Sequence, residues 1–296
     1  MSYDLSNDAE QPPPAKLPAI STANLRRVRM GGLVLALAVF LVLIAWWAKT
    51  AYTDWLWFGQ LGFRDVFFKI LVLKSWLFVG GALVAASALS ANLFLAYRFS
   101  YGESTLSQPE DVKRLLWALV VGSAFLTSII GALVLGDAVS ERWETFLLFF
   151  NRVSFGISDA QFSLDASFYV IDLRMFHLIQ GWFLGLAITC IVTSLALYIA
   201  VYGVRGVGFV LTPRMLGHAA AMGACLMFVI AIGHALQIYE LVLSDNGVVF
   251  GATYTDVHAR IPALLLLTVI ALLATAGFGI SRYYGGLRLM VGALSI

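Results

Sequence analysis

Four histidines are the residues most able to hold a cofactor, and two of them, His177 and His234, fall at comparable depth near the ends of long apolar segments. Facing helical imidazoles are the axial pair of a b-type haem, and a single one can hold the magnesium of a chlorophyll. His177, Gly181 and Gly185 recur every four residues, which sets them on one helical face with room for a flat macrocycle. The plainer reading has each imidazole hydrogen-bonded to a neighbouring helix or to interfacial water, and it carries more weight. His218 lies at the other end of its segment and shares no site with this pair.

A second group of chemically capable residues surrounds Asp256 and His258. Ser244-Asp245-Asn246-Gly247 is a turn signal, and Tyr254-Thr255-Asp256 repeats the tripeptide Tyr52-Thr53-Asp54. Asp256 reads first as a cap for the following helix or its lead-in. As a functional group it pairs with His258, and with Asp54, in acid/base work or metal binding, but two carboxylates and one imidazole are too few to specify a metal. No nucleophile elbow, phosphate-binding loop, dinucleotide fingerprint or zinc-protease helix is present, so no catalytic residue is assigned and the chain is read as a non-enzyme.

The elements that position these residues follow from composition. Of 296 residues, 60% are apolar and 12% charged, against about a quarter charged in soluble domains. A net charge of +2 without long basic blocks excludes a nucleic-acid surface. Residues 1–29, with Pro12-Pro13-Pro14, read as a disordered cytoplasmic tail, and 30–296 as one transmembrane domain. Apolar runs at Gly31–Trp47, Ser75–Leu95, Leu115–Leu135, Leu178–Ala200, Leu216–Ile238 and Ile261–Ile280 each approach the ~20 residues that a helix needs to cross a bilayer. The first run is too long for a signal-peptide core and lacks a small-residue cleavage site. Leu287–Ile296 is half a span, either a surface segment or part of a seventh. The predicted fold is thus all-α, a polytopic bundle of six spans with a possible partial seventh.

Eleven of the nineteen Lys and Arg fall on the side of the N-terminus, and eleven of the seventeen acids on the other. The positive-inside rule then predicts a cytoplasmic N-terminus and an acidic outer face. Seven of the eight tryptophans lie near the outer boundary, with only Trp117 at the inner one. The outer segment between spans three and four carries Glu141-Arg142-Trp143-Glu144 and then Phe146 to Phe150, the pattern of an interfacial helix. Phe67–Leu73 is predicted to extend the second helix outward, with Lys69 and Lys74 snorkelling to headgroups.

None of the six span interiors contains Asp, Glu, Lys or Arg, and none is broken by proline. Ion-coupled transport, which keeps such groups inside the bilayer, is correspondingly disfavoured. Small residues at Gly81, Ala85, Ala219, Gly223, Gly181 and Gly185 read as close helix packing. Cys190 and Cys225 lie mid-span and read as buried free thiols.

Thr53-Asp54-Trp55-Leu56-Trp57-Phe58 with Leu61-Gly62-Phe63, Phe146-Leu147-Leu148-Phe149 with Phe155-Gly156, Phe162, Asp165 and Ser167-Phe168-Tyr169, and above all Gly247 to Ala259, resemble the UPF0182 family of large bacterial membrane proteins. The resemblance runs over roughly Ala51 to Arg282, the membrane half of that family. It implies about seven spans followed by a large extracytoplasmic domain, and a family without established activity, so it carries over no catalytic residues. Asp159-Ala160 replaces the family's usual Asp-Pro, and Asp172-Leu173-Arg174 stands where Leu-Pro is common, which predicts a different course for the loop before span four. The large soluble domain is missing, as in a short relative or a fragment.

These observations favour a multi-pass protein of the bacterial inner membrane acting as a structural or interaction subunit. Its outer face, with Asp54, Trp55, Trp57, Trp143, Tyr254, Asp256 and His258, would dock a membrane-protein partner or larger complex. The alternatives are a haem- or chlorophyll-binding subunit of a redox or photosynthetic assembly, and a component of lipid or solute transport at the outer leaflet.

Overall fold

The computed structural model describes residues 22–101, 110–245, 250–284 and 292. Among the described residues seven α-helices occur in chain order: α1 (Thr22–Gln60), α2 (Arg64–Ser100), α3 (Glu110–Ser140), α4 (Trp143–Phe150), α5 (Leu173–Arg205), α6 (Pro213–Glu240) and α7 (Ile261–Tyr284). All but the short α4 belong to segments long and apolar enough to cross a membrane, and each predicted span lies inside one of them. Strand pairing among the described residues is limited to the isolated bridges Ser158 to Asp165 and Asp245 to Phe250.

The helix ends differ from those read in the sequence. α1 begins at Thr22, so the last eight residues assigned to the tail form helix, while 1–21 lie outside the described residues. Arg26, Arg27 and Arg29 are good helix formers and carry the apolar helix backward past the hydrocarbon boundary. α1 also continues to Gln60, well beyond Trp47, and α2 starts at Arg64 as the run Phe67–Leu73 predicted. The interfacial helix is α4, with Glu144 in its first turn, where the helix dipole favours an acid. Of Leu287–Ile296 only Gly292 is described.

The chain forms two compact units, Met1–Phe68 and Lys69–Ile296. The first contains α1, the turn into α2 and the opening of α2. That turn closes in three residues because Gly62 takes φ 78°, and the Phe63 N–H bonds Phe58 O at 2.9 Å. Around it Arg64 lies 5.0 Å over the Trp55 ring, Trp57 meets Phe58 edge-on, and Phe58 tilts against Phe67.

In the second unit the helices pack through small residues and a few polar bonds, because lipid gives apolar helices no hydrophobic reason to associate. A Cβ on Gly136 of α3 would lie 2.8 Å from Phe78 O and 2.9 Å from Ala82 Cβ of α2, so the two backbones touch there. Asn92 of α2 donates to Cys190 O at 2.9 Å and Ser194 Oγ at 2.6 Å on α5, while Trp182 of α5 donates to Leu135 O of α3 at 2.9 Å. Trp182, read with the tryptophans of the outer boundary, is thus also an interhelical donor. Gln180 donates to Val229 O of α6, and Phe278 of α7 fills the notch at Gly223. The packing reading of small residues holds at Gly81, Ala85 and Gly223 but not at Gly181, which faces open space. The largest buried cluster joins Leu93, Ala96, Val120, Leu197, Tyr198, Val201, Tyr202 and Met215 at the end away from α4. Beside it the Tyr198 hydroxyl meets buried His218 Nδ1 at 2.8 Å. The opposite end carries the two long connections, α4 to α5 and α6 to α7.

Candidate functional site

The connection from α4 to α5 is organised by two carboxylates. Asp165 accepts from Ser154 Oγ and from the N–H groups of Phe155 at 3.0 Å, Gly156 at 2.9 Å and Ser167 at 2.8 Å. The Ser154 and Ser167 bonds, joined by the backbone N–H donors, hold its carboxyl well below the usual carboxylate range. Asp159 accepts from the N–H groups of Gln161 at 2.9 Å and Phe162 at 2.6 Å and from the Tyr169 hydroxyl at 2.8 Å. Desolvation pushes the Asp159 carboxyl up, but those three donors outweigh it and the net direction is down. The Asp159-Ala160 turn holds with alanine in place of proline, because side-chain acceptance from the second and third residues after Asp159 fixes it.

The loop is fastened at both edges. Arg152 pairs with Asp172 at 2.7 Å and lies over the Phe149 ring, while Phe162 and Phe168 both pack on Tyr239 of α6. A π-helical turn, Phe168–Asp172, then leads into α5. With backbone polar groups and acids engaged inward, Val153, Phe155 and Ile157 are left outward, with Val153 72% and Ile157 69% exposed. Lys74, predicted to snorkel, instead pairs with Glu141 in the turn before α4 at 2.9 Å.

Asp256 organises the second connection. It is 2% exposed, and its Oδ2 accepts from Thr253 N at 2.9 Å and Thr253 Oγ1 at 2.7 Å. The Asp256 N–H points back to Thr253 Oγ1 at 3.4 Å, the reciprocal arrangement of a capping box with Thr253 as the cap. Asp256 therefore serves the lead-in to α7 from the third helical position. Arg260, one turn on, binds its Oδ1 at 2.9 Å, so a second π-turn, Asp256–Arg260, carries an internal ion pair. Ser244 Oγ donates to Gly251 O at 2.9 Å and Gly251 N to Ser244 O at 2.9 Å, closing the loop above. Residues 246–249 of the family-like stretch lie outside the described residues.

The structure separates most of the candidate site residues. Asp256 and His258 are not a pair: two positions apart on a helical turn they point to different sides, and exposed His258 stacks on Tyr254 at 3.9 Å and bonds Tyr254 O. The repeated tripeptide has unlike environments, since Asp54 is exposed on α1 of the first unit while Asp256 is buried in the second. Trp55 and Trp57 belong to the aromatic turn of the first unit, and Trp143 opens α4. His177 and His234 engage different partners: His177 Nε2 lies 3.7 Å from Glu240 Oε2, and His234 Nδ1 is 3.3 Å from Gln237 Oε1 on its own helix. Among the described residues no group of three His, Cys, Asp or Glu side chains is arranged to hold a metal ion.

Some organising residues left a legible signal. Thr253-x-x-Asp256 is a capping-box spacing and Asp256 to Arg260 an i,i+4 ion-pair spacing. The partners Ser154 to Asp165, Arg152 to Asp172 and His177 to Glu240 are set by tertiary folding and left none.

Comparison with known proteins agrees with this architecture. The chain is 31% identical over 294 residues to a UPF0182 protein of Thermobifida fusca, covering 94% of this chain and 28% of that protein. It is 32% identical over 269 residues to a UPF0182 protein of Salinispora arenicola, covering 87% of this chain and 26% of that one. The chain thus spans less than a third of the length of these curated relatives. No solved structure matches it. The model of the uncharacterised protein family UPF0182 matches residues 31–296, and the chain belongs to that family.

Proposed function

We propose that this chain is an integral protein of the bacterial inner membrane, N-terminus cytoplasmic, whose loop-bearing end faces outward and docks a protein partner. The observation that carries this reading is the Asp165-centred loop. It turns its polar groups inward and presents Val153, Phe155 and Ile157 on a backbone fixed by four hydrogen bonds to one carboxylate. Exposed apolar side chains on a preorganised loop lose little entropy on binding, which is how a docking surface gains affinity. The charge asymmetry of the sequence supports the orientation. The role is read as structural rather than catalytic, since Asp159, Asp165 and Asp256, the acids that organise the two connections, are occupied as acceptors for the chain's own donors.

A photo-crosslinking residue at Ile157, compared with one at the lipid-facing Leu126, tests it in cells. The expected result is a discrete protein adduct at Ile157 alone, lost when Asp165→Asn releases the loop. Lipid adducts only, or adducts indifferent to Asp165, would refute the docking role. Single-cysteine labelling at Ile157 and Ser107 from the outside checks the orientation, with only the former expected to react.

A further inference from the structure

A groove of about 580 Å³ lies where α6 ends and α7 begins, within the volume range of small-ligand sites. Gln237 and Glu240 form its α6 side, Leu241 and Leu243 follow, and Arg260 and Leu264 close it from the α7 side. The spans read from the sequence stop at Ile238 and start at Ile261, and that reading sets the groove at the level where hydrocarbon gives way to headgroups. Its polar walls carry opposite charges. Arg260 commits Nη1 to Asp256 at 2.9 Å yet keeps 59% of its side chain exposed, leaving most of its five donors for a phosphate. Among the described residues the ion-pair contact of Glu240, also 59% exposed, is His177 at 3.7 Å, beyond hydrogen-bond range, so its carboxylate can accept from an N–H donor. The leucines supply the apolar surface that an acyl chain needs.

We propose that this groove binds an aminophospholipid, a lipid with a phosphate and a primary ammonium in its headgroup, as in phosphatidylethanolamine. The phosphate sits on Arg260, the ammonium on Glu240, and the first acyl carbons on Leu241, Leu243 and Leu264. A purely anionic headgroup meets repulsion at Glu240, and a quaternary ammonium has no N–H to donate there. The argument is independent of the docking role, because it uses none of the residues of the Asp165 loop.

The test is lipid binding to the purified, delipidated full chain in mild detergent, measured by native mass spectrometry and by competition. Matched-chain phosphatidylethanolamine, phosphatidylcholine and phosphatidylglycerol are the probes. Phosphatidylethanolamine is expected to bind about tenfold tighter than either of the others, one decade in Kd. Glu240→Gln should erase its advantage over phosphatidylcholine while leaving the protein's Tm unchanged. Arg260→Gln should weaken all three lipids, and Arg260→Lys should retain binding, which separates lost charge from lost fold. Equal binding of the three lipids by the wild-type chain, or an unaltered preference in Glu240→Gln, overturns the proposal. Displacement by soluble phosphoethanolamine at the same concentration as the lipid would also overturn it, since the site would then recognise a free headgroup.

Discussion

Replacing Asp256 with asparagine removes one charge from the α6 to α7 connection while keeping its shape. Among its bonds the carboxylate accepts two from Thr253, one from Arg260 and a longer one from Ser244 Oγ at 3.4 Å, and they do not weigh equally. Bonds to a charged acceptor contribute about 1.5–3 kcal/mol each and neutral ones nearer 1 kcal/mol, so asparagine forfeits about 2 kcal/mol at Thr253 even with its oxygen in place. The Arg260 side chain is more than half exposed, and its ion pair is worth at most about 1 kcal/mol. Alanine leaves the Thr253 N–H and hydroxyl without their acceptor and costs about 3–4 kcal/mol. At about 2–4 °C per kcal/mol, Asp256→Asn lowers the Tm by about 4–8 °C, Asp256→Ala by more, and Arg260→Ala by less than either. Thermal unfolding of the detergent-solubilised protein, followed by intrinsic fluorescence, reads the series. If Arg260→Ala costs as much as Asp256→Asn, the ion pair and not the capping box carries the contribution, and the reasoning fails.

Acid should loosen the Asp165 loop only late. Asp165 and Asp159 have folded values held below their unfolded ones, so their contribution is complete above about pH 4 and is lost as pH falls through the lowered values. Protease resistance of the loop should be flat from pH 7 to about pH 5 and decline below about pH 4, whereas Asp165→Asn should be cleaved readily at neutral pH. Two glycine substitutions should diverge in sign. Gly136→Ala forces a Cβ to within 2.8 Å of the Phe78 carbonyl and should destabilise the chain by about 1–3 kcal/mol, while Gly181→Ala meets nothing within 4 Å and should be neutral or mildly stabilising in the same melt.

The spans were legible because a bilayer imposes one length on every apolar run, and runs such as Ile261–Ile280 match it without interruption. What lies beyond the hydrocarbon was harder to read. α1 continues through Lys49–Gln60 because a helix, once nucleated, propagates over mixed residues that hydropathy alone cannot assign. The interfacial helix was readable from the acid-led aromatic run that became α4. Asn92, Gln180 and Trp182 carry no formal charge, so neither hydropathy nor charge pattern marks these neutral amides and indole as interhelical donors. At the site, sequence spacing held enough to place Asp256 as a cap but not to show that His258 turns away from it. The anchoring of the α4 to α5 loop on Tyr239 joins residues some seventy positions apart, a distance across which no local pattern reaches.

Both α5 and α7 open with a π-turn, Phe168–Asp172 and Asp256–Arg260. A π-turn is an α-turn that has taken in one extra residue, so the chain can shed that residue there without rotating the helix beyond it. Anywhere else in α5 or α7 a single deletion would turn every downstream side chain by about 100° and bring lipid-facing leucines into the bundle. These two turns thus act as expansion joints, letting the loop sequences change length in evolution or by engineering while the phase of the membrane-embedded helices stays fixed. Chains shortened by one residue inside either turn should still assemble a bundle, with the loop above it altered.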